Sequence, residues 1–146
     1  MQLTHLLPLL LAATSAVATP LLPRLPSLLS RANQQVSGAE VTDTTCTDES
    51  AQLDTHETNV AILSICGGIA GSIQKCGGSP TSTVGASGGS RFDLAATDAG
   101  ATINISKGRW ERCVKAAQLT CPTGTFESTC VGGATSGDVK FSLSQA

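Results

Sequence analysis

The sequence predicts an α+β domain in which two helices pack on an antiparallel sheet of four to five strands, stapled by disulfides. Three observations lead to this class. Short runs alternate apolar and polar residues as half-buried strands do, two longer segments repeat apolar residues at helical spacing, and the 146 residues include six cysteines. One sheet with its helices then shares a single core.

The N-terminus predicts a leader that precedes this domain. The apolar run LLPLLLAA of residues 6–13 is followed by AVA, the small-x-small pattern of a cleavage site, so residues 1–18 are predicted to be a signal peptide. Three prolines in residues 19–31 favour an extended propeptide or linker, because proline fixes φ and lacks a backbone donor. Processing after Arg31 would leave 32–146 as a single cysteine-rich globular domain that is secreted to the extracellular space.

The charge of this domain argues against polyanionic partners. Removing residues 1–31 takes away two arginines, which moves the formal net charge from −2 to −4. A mildly acidic domain is not attracted to phosphate backbones or to anionic lipid, so neither nucleic acid nor a membrane is expected as a partner. His56 is the one histidine of the domain and no CxxC pair occurs, so no metal site or other cofactor is expected.

The even number of cysteines predicts three disulfides, for which 15 connectivities exist. Helix geometry disfavours two of the pairs. Cysteines eight or ten residues apart on one straight helix lie roughly 12–15 Å apart, whereas a disulfide tolerates less than about 7 Å between Cα atoms. The pairs Cys113–Cys121 and Cys66–Cys76 are therefore not expected if the predicted helices form. The cysteines concerned are Cys46, Cys66, Cys76, Cys113, Cys121 and Cys130.

The first ordered element is predicted to be a helix from about residue 56 to residue 75. Asp54 can cap this helix, and Glu57 three residues later completes a capping box. Apolar residues recur through the segment at helical spacing. The loop that follows is rich in Gly, Ser and Thr and leaves room for one short edge strand at Ser82–Ala86.

A hairpin is predicted next. Phe92–Thr97 and Ala101–Ile105 both alternate apolar and polar residues, and the Asp-Ala-Gly between them suits a three-residue loop with Gly100 in the left-handed region. Asn104 lies on the polar side of the second strand and begins an Asn-Ile-Ser sequon. It is therefore a candidate N-glycosylation site.

A second helix and two closing strands complete the prediction. Ser106 can cap a helix that runs to about Leu119 and turns Trp110 towards its apolar face. Thr125–Val131 and Asp138–Leu143 then alternate as strands, joined by a Gly-rich turn.

Several phrases of the sequence resemble a known family. The spacing Cys-x9-Cys at the end of the first helix, the phrase FDLAATDAG, and a W-x-x-C helix closed by CPTG are similar to the small secreted glycan-binding proteins of mushrooms. This lectin-like fungal family was first described from an ink-cap mushroom. The similarity covers Cys46 to Leu143, with Asp98 in place of the family's usual Asn and no cysteine after Leu143. It implies an α/β/α sandwich-like arrangement, a carbohydrate ligand, and a homodimer formed through the sheet edge.

Candidate ligand contacts follow from the hairpin and the second helix. Asp93, Thr97 and Asp98 form a polar cluster near the hairpin tip, and Trp110 is the one indole of the chain, so these four are the predicted glycan contacts. Each also has a structural explanation, since Asp98 suits a turn and Trp110 lies on an apolar helix face.

Three classes of function remain from the sequence. A non-catalytic lectin-like protein agrees with the family resemblance. A secreted effector or surface interaction protein without sugar binding agrees with the small size and the cysteines. A glycoside hydrolase would need a carboxylate pair such as Asp93 with Glu127, but no catalytic motif occurs, so the chain is not expected to be an enzyme.

Overall fold

A computed structural model describes residues 38–69, 76 and 79–146 of the chain. The chain divides into two units, Met1–Gln34 and Gln35–Ala146, and every described residue belongs to the second. The predicted signal peptide at 1–18 and the Pro-rich segment at 19–31 lie outside the described residues. The helices and strands are β1 (Val41–Asp48), α1 (Thr55–Ser64), β2 (Ser82–Ser87), β3 (Ser90–Ala96), α2 (Lys107–Thr120), β4 (Thr125–Cys130) and β5 (Val139–Gln145).

The strands form one five-stranded sheet in the order β1-β4-β5-β3-β2, and all neighbouring strands are antiparallel. The predicted α+β class is therefore confirmed, with two helices, one antiparallel sheet and three disulfides. The alternation of Val139, Phe141 and Leu143 places all three side chains in the core, where they are at most 3 % exposed. The predicted edge strand at Ser82–Ala86 is confirmed as β2, which lies at one edge of the sheet.

Both helices cover the same face of this sheet. Gly85 of β2 lies beneath α1, because a Cβ at this position would overlap the carbonyl oxygen of Ala61 and lie 2.8 Å from the Ile65 nitrogen. Trp110 of α2 packs edge-on against Phe92 of β3. Phe92 lies directly opposite Gly85 in the pairing of β3 with β2. Directly paired residues of neighbouring strands share a face, so α1 and α2 form one layer.

The sandwich-like arrangement implied by the family resemblance is corrected by this packing. Among the described residues the fold has two layers, one of helices and one of strands. The opposite face of the sheet, which we call the outer face, carries mostly Thr, Ser and charged side chains that no described element covers. These outer-face positions include Thr45, Glu127, Ser142, Asp93 and Val84, which align across the five strands.

The first helix starts as predicted and ends early. The Asp54 carboxylate accepts the Glu57 N–H at 2.9 Å, but the Glu57 carboxylate binds the Gly89 N–H at 2.7 Å instead of closing a capping box. The helix ends at Ser64 rather than near residue 75. Cys66 and Gly67 adopt φ values of 56° and 75°, which belong to the left-handed region and stop the helix.

The early helix end explains a disulfide that the sequence argument disfavoured. Cys66 pairs with Cys76 at a Cα separation of 4.9 Å, which a straight helix through both residues would forbid. The expectation for Cys113 and Cys121 is confirmed, because these residues pair elsewhere. The remaining bridges are Cys46–Cys121 and Cys113–Cys130, and both connect the region of α2 to the sheet.

The predicted strand Ala101–Ile105 does not form. Both sides of β3 are already paired, with β2 and β5, so no edge is left for a hairpin partner. The Asp-Ala-Gly turn does form, since the Ala101 N–H donates to the Asp98 carbonyl and Gly100 has φ 77°. The side chains of Ile103 and Ile105 are both buried in the core, which explains the apolar–polar alternation of this segment. The segment itself is irregular, and its only β-bridge joins Ile103 to Ala134.

The structure adds a strand that the periodicity missed. Strand β1 reads VTDTTCTD, and its sequence has no alternating apolar row to predict it. It pairs with β4 through an irregular register in which Asp43 adopts φ 54° between Thr42 and Thr45. Cys46 and the packing of Val41 against the core fix this strand at the edge of the sheet.

Candidate functional site

Trp110 is a core residue and not a ligand contact. Its side chain is 0 % exposed, and its indole N–H donates to the Ile62 carbonyl of α1 at 2.9 Å. The ring stacks edge-on against Phe92 and Phe141, at centroid distances of 5.3 and 5.0 Å. No face of the indole is therefore free for a sugar, which corrects its assignment as a glycan contact.

Thr97 and Asp98 hold two loops together. The Thr97 hydroxyl accepts the Asp138 N–H at 3.0 Å, and the Asp98 carboxylate accepts the Ser136 hydroxyl at 2.6 Å. These bonds attach the segment after β3 to the turn before β5. Both side chains lie at the surface. Their hydroxyl and carboxylate groups, which were predicted to contact a ligand, instead form hydrogen bonds that join the two loops.

Asp93 lies apart from the other three predicted contacts, on the outer face of the sheet. Arg91 donates to its carboxylate from Nε and Nη2, both at 2.7 Å. Hydrogen bonding from Arg91 is the main cause that lowers the pKa of Asp93 from its ordinary value. Desolvation opposes it, and the charge of Arg91 adds a smaller lowering effect. The four predicted contacts do not converge on one site.

Asp93 and Glu127 occupy the same face, where both are paired with Ser142 across the sheet. Two strand spacings separate them, roughly 10 Å between Cα atoms. Glu127 binds the Lys140 ammonium at 3.1 Å, and the two carboxylates border a shallow depression of about 380 Å³. A glycosidase acid needs a raised pKa, whereas the pKa of Asp93 is lowered, so Asp93 is poorly suited to be the general acid.

The lowered pKa predicts how Asp93 contributes to stability. A carboxylate whose pKa is lower in the folded chain stabilises it above the unfolded pKa, and that contribution disappears as the pH falls through the folded pKa. We expect Asp93→Asn to be less stable than the wild type at neutral pH, by under about 1 kcal/mol because the ion pair is exposed. The difference should vanish well below the ordinary pKa of 3.8.

Thermal denaturation of both proteins at neutral and strongly acidic pH, with the disulfides intact, measures this difference. Asp98→Asn is a useful comparison, since that carboxylate bonds a hydroxyl rather than a cation. A stability difference for Asp93→Asn that persists unchanged at acidic pH would contradict the ion-pair explanation.

A second depression lies between the two helices. The helices run in opposite directions, since Asn59 early in α1 borders Gln118 late in α2, while Ile62 contacts Trp110 near the start of α2. Two adjoining cavities, of about 330 and 270 Å³, share Asn59 and Gln118, and we call them together the inter-helix groove. Its lining residues include Gln52, Leu53, Thr55, Asn59, Gln118, Thr123, Phe126 and Leu143 in the larger cavity, and Leu63, Glu111 and Lys115 in the smaller one.

Unpaired amides distinguish the inter-helix groove from the outer face. The side chains of Asn59 and Gln118 form no hydrogen bond with any residue that the structure describes. Each amide offers both donors and an acceptor. The core residues Phe126 and Leu143 border the same cavity but are almost fully buried. The larger cavity has no charged residue in its lining. Such a lining suits a polyhydroxylated group.

The sequence offered no local signal for this groove. Asn59 and Gln118 are single polar residues on the flanks of amphipathic helices, where polar side chains are usual. Their proximity depends on the antiparallel packing of α1 against α2, which brings together residues 59 positions apart in sequence. Periodicity within either helix does not reveal this packing.

Asn104, the predicted glycosylation site, is exposed in the segment before α2. Its backbone N–H donates to the Gly133 carbonyl at 2.9 Å, which holds the chain while leaving the side chain at the surface. The serine of the sequon, Ser106, caps α2 by accepting the Arg109 N–H at 3.4 Å. The side chain of Asn104 is thus placed where a glycan could be attached.

The described residues contain neither a metal-binding cluster nor a helix that could span a membrane. These contain no group of three or more His, Cys, Asp or Glu side chains that could hold a metal ion. None of the described helices is long and apolar enough to cross a membrane.

Comparisons with known proteins give no relative. No family model, no curated protein and no solved structure matches the chain significantly. The similarity to the mushroom glycan-binding proteins therefore rests on the short motifs alone, and the function has to be argued from the geometry of the chain.

Proposed function

We propose that the chain is a secreted, non-catalytic glycan-binding protein that binds sugar in the inter-helix groove. The observation that carries this proposal is a pair of side-chain amides, Asn59 and Gln118, that line one concave surface from two helices. Neither amide has a hydrogen-bond partner among the described residues. Amides without an intramolecular partner are hydrogen-bonded to water, so a ligand can replace that water without breaking a bond within the chain.

The chemistry of the groove favours a sugar over an apolar ligand. Sugar hydroxyls donate and accept hydrogen bonds, as do the amides of Asn59 and Gln118 and the hydroxyl of Thr55. A volume of about 330 Å³ lies at the small end of ligand sites and suits one or two sugar units.

Secretion is supported by two independent features. The leader pattern of residues 1–18 is typical of exported proteins. Three disulfides hold the domain, and disulfides persist mainly in oxidising compartments outside the cytosol. The absence of a catalytic role is supported by the ion pairs of Asp93 and Glu127 on the outer face.

A glycan array probed with the secreted protein tests the proposal. We expect saturable binding to a subset of glycans, and a loss of about tenfold to hundredfold in affinity for the double variant Asn59→Ala/Gln118→Ala, which removes two hydrogen-bonding groups. The matched control is Asp93→Ala on the outer face, which should bind as the wild type does. Absence of saturable binding to any glycan would contradict the proposal. A loss of affinity in Asp93→Ala alone would indicate that the sugar binds on the outer face.

A second candidate function is that of an effector or surface interaction protein without sugar binding. The outer face favours it, because no described element covers this face and Val84 is 43 % exposed there. A negative glycan array together with saturable binding of one purified host protein, abolished by Val84→Glu, would support this alternative.

The homodimer implied by the family resemblance is also a proposal. Strand β2 pairs with β3 on one side only, so its other edge has backbone groups available for a second copy. Part of this edge is engaged, since the Ser64 hydroxyl donates to the Ala86 carbonyl at 3.3 Å. Light scattering of the purified protein over a range of concentrations distinguishes monomer from dimer.

A further inference from the structure

One cation of the described chain is exceptional in having no partner. Acidic side chains outnumber basic ones in this part of the chain, eleven to six. Among the charged groups of these six basic residues, the Lys115 ammonium alone bonds to no described residue. The other five are bound by a carboxylate or a carbonyl oxygen, in the pairs Arg91–Asp93, Lys107–Glu111, Arg112–Glu40, Lys140–Glu127 and Arg109 with the Val131 carbonyl.

The nearest acid on the same helix does not neutralise Lys115. Glu111 lies four residues before it, an arrangement in which Glu and Lys attract each other on a helix. The Glu111 carboxylate instead binds the Lys107 ammonium at 2.9 Å, which lies on its other side. The charge of Glu111 is therefore already compensated, and the Lys115 ammonium remains available.

Lys115 stands at the inter-helix groove. It lines the smaller cavity together with Asn59 and Gln118, and it precedes Gln118 by three residues, so both project from the same side of α2. Three polar side chains that have no partner among the described residues thus line one concave surface, which the Lys107-bound Glu111 also borders. Two of them suit hydroxyl groups, and the third is a point charge that suits an anion.

We propose that the inter-helix groove takes an anionic glycan, whose carboxylate or sulfate group pairs with the Lys115 ammonium while its hydroxyls bond the amides of Asn59 and Gln118. This inference rests on the proposed glycan binding and names the class of sugar. The acidic domain repels anions at long range, so the attraction is local and depends on this one ammonium. Binding should therefore weaken as salt concentration rises.

Three probes of equal length separate the possible outcomes. They are an oligogalacturonate, which carries carboxylates, a sulfated galactose oligomer, and the uncharged galactose oligomer, each titrated calorimetrically into the secreted protein. We expect the wild type to bind at least one anionic probe about tenfold more tightly than the uncharged oligomer, and to lose this preference in Lys115→Gln. Lys115→Arg should retain most of it, because the positive charge is kept.

The matched control is Lys140→Gln, which changes the net charge by the same amount but removes a paired cation from the outer face. It should bind all three probes as the wild type does. Lys115 is exposed, so its variants should fold, and their thermal denaturation midpoints verify this.

The outcomes distinguish this inference from the proposed function. Equal affinity for charged and uncharged probes, or an unchanged preference in Lys115→Gln, overturns the inference and leaves glycan binding in place. An equal loss in Lys140→Gln also overturns it, since net charge and not Lys115 would then govern binding. Failure of every glycan on the array and of all three probes overturns both proposals.

Discussion

We expect Trp110→Ala to lower the free energy of unfolding by about 4 kcal/mol. The indole is 0 % exposed, packs against Phe92 and Phe141, and joins the two helices through its hydrogen bond to the Ile62 carbonyl. Truncation leaves a cavity and removes the donor to that carbonyl. Chemical denaturation followed by circular dichroism, with disulfides intact, measures the loss.

Leu119→Ala is the matched control on the same helix. Leu119 is 70 % exposed, and its truncation should change the free energy of unfolding by no more than about 0.5 kcal/mol. Trp110→Phe keeps an aromatic ring and loses the N–H, so it should fall between the two and remain measurable if Trp110→Ala does not fold. A loss below about 1 kcal/mol for Trp110→Ala would contradict its place at the centre of the core.

Gly124→Ala is expected to destabilise the chain by about 3 kcal/mol more than an ordinary Gly→Ala change in a turn. A Cβ at Gly124 would overlap the Asp48 carbonyl oxygen and lie 2.7 Å from the Glu49 Cα. Both obstacles are backbone, so no side-chain rotation relieves them. The substitution has to push the end of β1 away from the start of β4.

Gly100→Ala isolates this steric effect from backbone strain. Gly100 and Gly124 share φ 77°, but a Cβ at Gly100 would have nothing within 4 Å. The cost at Gly100 is thus only that of a left-handed alanine, about 1–2 kcal/mol. Denaturation of both variants side by side gives the difference, and equal stabilities would show that the strands yield without cost.

Sequence patterns that span only a few consecutive residues, such as helix caps and strand alternation, predicted the corresponding helices and strands correctly. Asp54 and Ser106 cap α1 and α2 as their positions before apolar helical segments indicate. The inward row of β5 is confirmed because alternation along one strand directly reflects burial on one face of a sheet. These features depend on neighbours within one or two turns of the chain.

The errors arose where a local pattern had more than one structural explanation. Ala101, Ile103 and Ile105 alternate because they reach the core, and alternation alone does not say whether a strand edge is free to receive them. Strand β1 has no apolar row, and pairing with β4 and the disulfide of Cys46 hold it in the sheet.

The candidate site was the least predictable feature. The four predicted ligand contacts have separate roles in the structure. Asp93 forms an ion pair, Thr97 and Asp98 join two loops, and Trp110 lies in the core. Asn59 and Gln118 line one groove because the two helices pack side by side. The sequence of either helix alone does not indicate that the other packs against it.

The sequence alone was sufficient to predict the α+β class, the helix starts, four of the five strands and the number of disulfides. Each of these features depends on composition or on a pattern of nearby residues. Tertiary packing decided which cysteines pair, where α1 ends, which face of the sheet the helices cover, and where a ligand can bind. Each of these depends on contacts between residues distant in sequence, such as Cys46 with Cys121 or Asn59 with Gln118. Contacts between distant residues produce no periodic pattern in the sequence, so they cannot be predicted from periodicity.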